Sequence, residues 1–372
     1  MHVIIDAVSN NRFDQQLNPG FLKNLLSNWT VIFPDDKLSV VTNNGIEPET
    51  EQVKIYPVPG KKSRFGKKNI FGQSIPSLCI ELKADILFSP FLNTSTEVDI
   101  PQILFISSDL VSAIENFSVP KRWLELAALK KQIANADYFI FSSHYLKKRI
   151  SSFLQIREER STVIHEAVAQ NTVVELTANE RIKEKYTGSR EYFLYCGNRS
   201  DNEAIINMLR GFSAFKKRQQ TNMLLVFADH QPGTPKFTEL INTYKFRDSI
   251  VITKELDEDE IRMLRSAAYA AIFPLLDDSS ESALIRTAGV GIPVLCADIP
   301  GYRNLDIFSP LYFNPDQPED INQQMGLIFK NENKRKEMVQ QGIMAGADFN
   351  WPGRVTRYRE IFGKHLHRAG IP

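Results

Sequence analysis

Short apolar runs alternate with longer amphipathic stretches along most of the chain. The apolar runs are continuous, which is typical of strands buried on both faces of a parallel sheet, and the stretches between them have helical periodicity. This β–α–β rhythm predicts a doubly wound α/β sheet in the first half of the chain. The predicted strands there are 3–8, 39–43, 53–58, 85–90, 102–107, 137–142 and 162–165, and the predicted helices are 19–29, 71–83, 121–136 and 143–154.

This pattern is interrupted over residues 166–190, which are polar and contain no strong strand pattern, and we interpret the part near 168–190 as a linker between two sheets. It restarts at Tyr192 and predicts a second sheet of the same kind. We therefore expect two α/β domains, 1–168 and 169–351. After the strand that begins at Tyr192, the second domain has predicted strands at 223–229, 249–253, 269–275 and 293–297, and predicted helices at 202–218, 236–246, 257–267 and 281–290.

The last part of the chain, 317–368, has a mostly helical pattern that is interrupted at Trp351 and Pro352. Proline cannot continue a preceding helix but suits the first turn of a new one. We therefore predict a separate final helix at 354–367. The segment 352–372 that contains it is expected to pack back onto the first domain.

Composition and charge restrict the class of protein. Apolar residues make up 42% of the chain and charged residues 24%, a globular balance that excludes disorder as a description of the whole. Lysine plus arginine number 45 against 44 acidic residues, so no global electrostatic case for nucleic-acid binding exists. The three cysteines, Cys79, Cys196 and Cys296, are far apart, which argues against a zinc site or a disulfide framework and fits a reducing compartment.

The N-terminal residues have no signal-peptide pattern, and no apolar window is long enough to span a membrane. We expect a cytoplasmic protein, which would lie at the inner face of the membrane if it works at one. A basic run in the loop 60–69 has two interpretations, a solvated surface or a contact with phosphate or anionic lipid, where each basic residue adds about 1 kcal/mol. Its charged residues are Lys61, Lys62, Arg64, Lys67 and Lys68.

Four segments, in their order along the chain, carry a family resemblance. They are 136–143 (ADYFIFSS), 195–199 (YCGNR), 260–274 (EIRMLRSAAYAAIFP) and 291–294 (GIPV). With these segments the chain resembles the retaining family-4 glycosyltransferases of the GT-B fold, also called glycosyl transferases group 1. The resemblance covers nearly the whole chain.

The resemblance implies two Rossmann-like domains that face a central cleft. It implies an N-terminal domain that binds the acceptor, a glycan, a lipid-linked or a protein substrate. The C-terminal domain would bind the nucleotide-sugar donor, and no metal or other cofactor would be needed. The implied reaction transfers the sugar with retention of configuration.

General physical reasons explain the donor-site positions of this family. A glycine at a strand end, here Gly197, lets the backbone approach a ligand closely. The N-terminus of the helix 281–290 would offer free N–H groups to a diphosphate. Ser279 and Ser280 precede that helix, and their hydroxyls have a second interpretation as helix caps alone.

Several donor residues of the family are replaced in this sequence. Counted back from Gly291, the glutamate that touches the transferred sugar becomes Asp278, and the glutamate that binds the ribose becomes Arg286. Arginine cannot accept a hydrogen bond from a ribose hydroxyl. Arg199 retains one of two basic residues expected near the diphosphate, whereas Glu203 takes the place of the other. Because these changes are opposite in sign, we hypothesise that Glu203 and Arg286 pair; the alternative is that both are ordinary solvated residues.

The first domain departs from the family as well. The glycine-rich loop after the first strand is replaced by 10–16 (NNRFDQQ), and the active-site histidine by Ser108, which is followed by Asp109. His165 ends a predicted strand, where a lone histidine is more often structural than catalytic.

Two functional hypotheses follow. In the first, the protein is an active glycosyltransferase, with Asp109 and Asp278 as its catalytic carboxylates. Its donor contacts would be Gly197, Arg199, Ser279, Ser280, Glu281 and Arg286. In the second, it is a catalytically inactive GT-B homologue that acts as a binding or scaffold partner in glycan assembly, because several donor contacts are lost while the fold segments are kept.

Overall fold

The computed structural model describes residues 1–8, 20–43, 52–58, 75–108, 110–115, 117–165, 167, 176–197, 203–228, 235–253, 256–275, 280–303, 305 and 309–368. The chain forms two compact units. Unit 1 comprises Met1–Glu166 and Trp351–Pro372, and unit 2 comprises Ala167–Asn350. The assignment of acceptor and donor roles to these units stays a prediction.

Unit 1 contains a parallel sheet of seven strands in the order β3-β2-β1-β4-β5-β6-β7. Nearly every residue of its central strands is buried, because helices cover both faces of a doubly wound sheet. This explains why the strands appear in the sequence as continuous apolar runs. The strands are β1 (His2–Ala7), β2 (Lys37–Thr42), β3 (Val53–Pro57), β4 (Ile86–Ser89), β5 (Gln102–Ile106), β6 (Tyr138–Phe141) and β7 (Ser161–Val163).

The helices of unit 1 connect these strands, and the last one comes from the C-terminal end of the chain. In the described residues they are α1 (Phe21–Ile32), α2 (Ile75–Glu81), α3 (Leu110–Glu115), α4 (Val119–Gln132), α5 (His144–Leu154) and, far along the chain, α14 (Trp351–Arg368).

Unit 2 contains a second parallel sheet, of six strands in the order β10-β9-β8-β11-β12-β13. Counted within the unit, this is the order 3-2-1-4-5-6 of a Rossmann domain. Its strands are β8 (Tyr192–Cys196), β9 (Leu224–Ala228), β10 (Ile250–Ile252), β11 (Ala270–Phe273), β12 (Val294–Ala297) and β13 (Leu311–Phe313). Its described helices are α6 (Leu176–Thr187), α7 (Glu203–Gln219), α8 (Pro235–Asn242), α9 (Glu258–Ser266), α10 (Ser280–Gly289), α11 (Pro300–Arg303), α12 (Pro318–Lys330) and α13 (Glu332–Ala347).

The predicted fold class, two doubly wound parallel-sheet units, is therefore confirmed. One local prediction was wrong, because the polar stretch 166–190 is not only a linker. It contains α6, which buries Ile182 in the unit 2 core and pairs Lys185 with Glu260 of α9 at 2.6 Å. The helix has one strongly apolar anchor and much polar surface, so its sequence has little of the periodicity that would predict it.

The final helix α14 packs against α1. Val355, Tyr358 and Phe362 are buried in the same core as Trp29, and the rings of Phe362 and Trp29 lie 5.5 Å apart between centroids. The end of the chain thus completes the hydrophobic core of the unit in which the chain begins.

Candidate functional site

The connections of the unit 2 sheet reverse direction between β8 and β11, which are neighbours in the sheet. In open α/β sheets, ligands bind at the carboxyl ends of the strands at such a switch point. Gly197 follows β8 at this edge, Pro274 and Leu275 follow β11, and α10 begins at Ser280. The candidate site is therefore built from these segments.

Gly197 is required by the packing of the strand that precedes it. A Cβ atom at this position would lie 2.8 Å from Oη and 3.0 Å from Cζ of Tyr195. The Tyr195 ring is buried and packs edge-to-face on Phe227, with 5.4 Å between centroids, so it has little room to move. The sequence suggested a close approach of a ligand at Gly197, and the structure adds a close approach of Tyr195.

The N-terminus of α10 has a fully buried acidic side chain. Glu281 is in the first turn of the helix. A carboxylate there is stabilised by the partial positive charge of the helix N-terminus. The same partial charge is what a donor diphosphate would use, so the position of Glu281 matters for any ligand at this end of the helix.

The other end of α10 is fixed by a glycine turn. Gly291 has a φ of +81°, and its N–H donates to the Ala288 carbonyl at 2.8 Å. The N–H of Ile292 donates to the Thr287 carbonyl at 3.2 Å, which completes a Schellman motif. This motif is the physical basis of the GIPV segment, since glycine adopts a positive φ without steric cost.

Two glycines of α13 let that helix approach α10 very closely. A Cβ at Gly342 would lie 2.4 Å from the carbonyl oxygen of Ala288, and one at Gly346 would lie 2.4 Å from Cα of Gly289. Both distances are far below van der Waals contact. The position of α10, and hence of its N-terminus, depends on this backbone packing.

A buried tyrosine fixes the chain where it leaves β11. The hydroxyl of Tyr302 donates a hydrogen bond to the carbonyl of Leu275, immediately before residues 276–279. Tyr302 is itself fully buried. It lies on the short helix α11, where the neighbouring Arg303 forms a two-pronged ion pair with Asp298 at 2.5 and 2.8 Å.

His165 lies at the corresponding edge of the unit 1 sheet and is buried. Its Nδ1 atom lies 3.2 Å from the carbonyl oxygen of Ser142, and its ring lies 5.3 Å from that of His144. Burial, with the positive groups His144 and Arg354 nearby, lowers the pKa of His165 to about 3. The imidazole is therefore neutral at physiological pH, in keeping with a structural role.

Comparisons with known proteins show what the chain is similar to. Residues 177–344, just under half of the chain, match the family described as Glycosyl transferases group 1. The chain is similar to this family over a region that begins within α6 and ends within α13, and that includes the switch point, Gly197 and α10.

Solved glycosyltransferases share the fold of the whole chain. WaaG, a glycosyltransferase involved in lipopolysaccharide biosynthesis, has a TM-score of 0.66 at 14% identity, with 97% of this chain and 99% of WaaG covered. HepE of Anabaena, in complex with UDP-glucose, has a TM-score of 0.68 at 12% identity over 98% and 100%. A glycosyltransferase from Rickettsia africae has a TM-score of 0.70 at 13% identity over 98% of both chains. The predicted GT-B fold is confirmed.

A curated relative is matched over part of its length. The O-antigen chain mannosyltransferase RfbU of Salmonella typhimurium is 21% identical over 188 residues. The match covers 50% of this chain and 50% of that protein, so this chain aligns with about half of its relative.

Many of the predicted site residues lie outside the described residues. Among the donor residues, the structure describes Gly197, the backbone of Ser280, the buried Glu281 and the half-buried Arg286. Their roles stay predictions. The predicted site residues outside the described ranges are Asp109, Asp278, Arg199, Ser279, Lys61, Lys62, Arg64, Lys67 and Lys68.

Glu203 has an ion-pair partner on its own helix. Its carboxylate accepts from Nη1 of Arg210 at 3.0 Å, and both side chains are largely exposed. This contact differs from the hypothesised pair with Arg286. Arg286 lies on a different helix, α10, whereas Glu203 lies on α7.

Sequence reasoning missed Tyr302 and the two glycines of α13, and it did not predict that Tyr195 packs against Gly197. The spacing of Gly342 and Gly346, four apart on a helix, is a signal that could have predicted close helix packing. No sequence signal distinguishes Tyr302 from other tyrosines. Within the described ranges, no three His, Cys, Asp or Glu side chains are grouped closely enough to hold a metal ion. In the same ranges, no helix is long and apolar enough to cross a bilayer.

Proposed function

We propose that the protein is a glycosyltransferase that moves a sugar from a nucleotide-sugar donor to a glycan, lipid-linked or protein acceptor, with retention of configuration. One observation carries this proposal. Gly197 and the N-terminus of α10 flank the switch point of a Rossmann-order sheet, within the region that is similar to Glycosyl transferases group 1. Free N–H groups at such a helix terminus favour the diphosphate of a nucleotide sugar.

In this proposal the residues of the chain supply the electrostatic stabilisation of the leaving diphosphate. The first-turn N–H groups of α10, the hydroxyls of Ser279 and Ser280 and the guanidinium of Arg199 would donate hydrogen bonds to it. Asp278 would lie near the transferred sugar, and Asp109 would contribute a second carboxylate. No metal or cofactor is required for these roles.

The choice of donor is guided by the relatives. HepE is described in complex with UDP-glucose, and RfbU is described as a mannosyltransferase. We therefore propose a hexose linked to a nucleoside diphosphate as the donor class. The basic residues Lys61, Lys62, Arg64, Lys67 and Lys68 would serve an anionic acceptor or an anionic surface, and the site of action would be cytoplasmic, at the inner face of a membrane when the acceptor is lipid-linked.

A second candidate is a non-catalytic partner in glycan assembly, and a specific observation favours it. Glu281 is fully buried at the helix terminus where the diphosphate would bind. The resemblance to the retaining family-4 glycosyltransferases implies a small residue at this position. A buried carboxylate beside a diphosphate is repulsive, so this residue opposes donor binding unless it is protonated or displaced.

A thermal-shift scan of the full chain against UDP-, GDP-, ADP- and dTDP-sugars tests the proposal. A ligand at about 100 times its Kd adds about 2.7 kcal/mol to the free energy of unfolding, which raises the melting temperature measurably. We expect at least one of these donors to stabilise the protein against unfolding. In the presence of acceptor we also expect slow turnover, measured as release of the nucleotide from that donor. Stabilisation without turnover would favour the non-catalytic candidate, and no response to any nucleotide would contradict donor binding.

The contribution of Arg199 provides an internal comparison. Arg199→Ala is expected to lower kcat/KM more than Ser108→Ala, because Arg199 is the basic residue retained near the diphosphate whereas Ser108 lacks the chemistry of a histidine. Equal losses for the two variants would contradict the assigned role of Arg199.

A further inference from the structure

The outer face of α4 exposes three large apolar side chains. Val119, Trp123 and Leu124 are 66, 70 and 71% exposed. Val119 and Trp123 are four positions apart and adjoin on one row of the helix surface, and Leu124 lies on the next row of the same exposed half. These residues occupy the first two turns of the helix.

The opposite face of α4 fixes this orientation. Glu125 and Leu129 are buried, and Leu129 lies in a core cluster with Leu104 of β5 and Phe139 of β6. If α4 rotated about its axis so that Trp123 became buried, Leu129 would move out of this core. The exposure of Trp123 is therefore set by the packing of the whole helix.

The exposed charges of α4 are all positive. Lys121, Lys130 and Lys131 are exposed, whereas Glu125, which is the one acidic residue between 119 and 132, is buried. The nearby carboxylate of Glu115 is paired with Arg149 at 2.7 Å and lies 3.6 Å from Nη2 of Arg122. Among the described residues, no ion pair joins these three lysines to a carboxylate, so the outer face of α4 combines apolar side chains with positive charge.

We propose that the outer face of α4 docks on a bilayer surface that contains anionic lipid. Tryptophan and aliphatic side chains bury their apolar surface at the headgroup boundary, and lysines at the edge of that patch are attracted to anionic headgroups. A helix that lies parallel to the bilayer can satisfy both interactions together. Contact between two copies of this face would bring lysines against lysines, so self-association is electrostatically opposed.

This docking surface extends the proposal of a lipid-linked acceptor, but it is testable without donor, acceptor or turnover. Failure of the transferase proposal and failure of the docking proposal are therefore distinguishable. The surface also lies on residues different from the basic run 61–68, so each can be varied alone.

Flotation of the full chain with extruded vesicles tests the docking surface. We expect binding to an equal mixture of phosphatidylcholine and phosphatidylglycerol, weaker binding to phosphatidylcholine alone, and loss of the difference at high salt. The double variants Trp123→Ala/Leu124→Ala and Lys130→Glu/Lys131→Glu should each lower partitioning by at least about tenfold. Matched controls are Val31→Ala, an equally exposed apolar residue on α1, and Lys336→Glu, an exposed lysine on α13; both should bind as the parent chain does.

Tryptophan fluorescence provides a second measurement. Trp29 is buried and Trp351 is half-buried against the unit 1 core, so a blue shift on addition of anionic vesicles should come mainly from the exposed Trp123 and disappear in Trp123→Ala. Unchanged melting temperatures would show that the exposed substitutions leave the fold intact. Equal vesicle binding by the parent chain and both α4 variants, or no binding by the parent chain at low salt, would overturn the proposal. Self-association without vesicles that Trp123→Ala/Leu124→Ala abolishes would assign this face to a second copy and would also overturn it.

Discussion

The carboxylate of Asp36 accepts two hydrogen bonds from Arg359, which lies 323 positions further along the chain. The Nε atom of Arg359 is 2.8 Å from Oδ2, and Nη2 is 3.3 Å from Oδ1. The same carboxylate accepts from the N-terminal amine of Met1 at 3.0 Å and from Nε1 of Trp29 at 3.1 Å. A single buried aspartate therefore joins the N-terminal amine, α1 and the final helix α14.

This network predicts a pH-dependent stability of unit 1. Burial alone would raise the pKa of Asp36, but the hydrogen bonds from Arg359, the N-terminal amine and Trp29 outweigh it and hold the pKa below its ordinary value. A carboxyl whose folded-state pKa is lowered stabilises the fold above its unfolded pKa, about 3.9, and loses that contribution as the pH falls through the folded value. Asp36→Asn should therefore cost about 1–3 kcal/mol at neutral pH.

Urea unfolding followed by tryptophan fluorescence measures this difference, because Trp29, Trp123 and Trp351 all belong to unit 1. The gap between Asp36→Asn and the parent chain should shrink below about pH 4 as Asp36 becomes protonated. Asp35→Asn, at the exposed neighbouring position, is the matched control and should change stability little. A gap that stays constant at acidic pH would contradict the role of the ionised carboxylate.

The close packing of α13 on α10 gives a second prediction. Gly342→Ala would place a methyl group 2.4 Å from the Ala288 carbonyl, so the helices must separate, at a cost of about 1–3 kcal/mol. Gly326→Ala on α12 is the matched control in the same unit, because its Cβ would make an ordinary contact, 3.5 Å from Nε2 of Gln219. That variant should be neutral or slightly stabilising, since alanine favours a helix.

Scanning calorimetry of the two variants checks this contrast. If Gly342→Ala were as stable as Gly326→Ala, the helices would be free to adjust and the close approach would not fix α10. Since α10 carries Glu281 and Arg286, a destabilised Gly342→Ala should also weaken any donor binding found for the parent chain.

The sequence predicted the sheets well because their signal is local and strong. β9 (Leu224–Ala228) is fully buried, and together with the preceding Met223 its five apolar residues form one continuous apolar run. α6 was missed because its place in the fold depends on Ile182 and on the contacts of Lys185 and Tyr186 with Glu260, which is 75 and 74 positions away from them respectively. Such contacts leave no periodic trace in the helix itself.

The candidate site was predictable only where a glycine turn or a strand end marks it. Gly197 and Gly291 both lie at positions that the fold requires to be glycine, for a steric and a conformational reason respectively. Tyr302 acts through a hydrogen bond to the carbonyl of Leu275, and a tyrosine that serves a backbone atom has no spacing rule. The ion pair of Glu203 with Arg210 could not be predicted from spacing either. It joins residues two turns apart on the same helix and depends on how far the two side chains extend.

The hydrogen bond of Tyr302 predicts an effect on donor binding. Tyr302→Phe removes the bond to Leu275 and releases the chain just before 276–279, where the predicted sugar contact Asp278 lies. We expect donor affinity to fall by about tenfold, because the net free energy of one hydrogen bond, about 1 kcal/mol, is close to that of a tenfold change in affinity. Calorimetric titration with the donor identified by the thermal-shift scan measures the change.

Tyr269→Phe is the matched control for this variant. The hydroxyl of Tyr269 donates to the carbonyl of Ile328 at 3.1 Å, so the same kind of bond is lost at a different place in unit 2. Both variants should lose about 1 kcal/mol of stability, whereas only Tyr302→Phe should lose donor affinity. Equal donor affinity in the two variants would mean that Tyr302 supports the fold and not the site.

The last prediction concerns the replaced charges at Glu203 and Arg286. Because the exposed Glu203 pairs with Arg210, Glu203→Lys should cost about 0.2–1 kcal/mol, the range of surface ion pairs. Residues that do not touch usually add within about 0.5 kcal/mol, so the double variant Glu203→Lys/Arg286→Glu should show additive stabilities. A coupling well above this value, measured by urea unfolding followed by circular dichroism, would show that the two side chains interact.

The double variant Glu203→Lys/Arg286→Glu should also bind UDP or GDP at least about tenfold more tightly than the parent chain. The reason is that a lysine returns to the predicted diphosphate site, and a carboxylate that accepts hydrogen bonds from ribose hydroxyls returns to α10. Titration calorimetry with UDP and GDP measures this gain in nucleotide affinity. If the affinity does not rise, the donor site has diverged by more than these two residues, and the non-catalytic function becomes the better explanation of the buried Glu281.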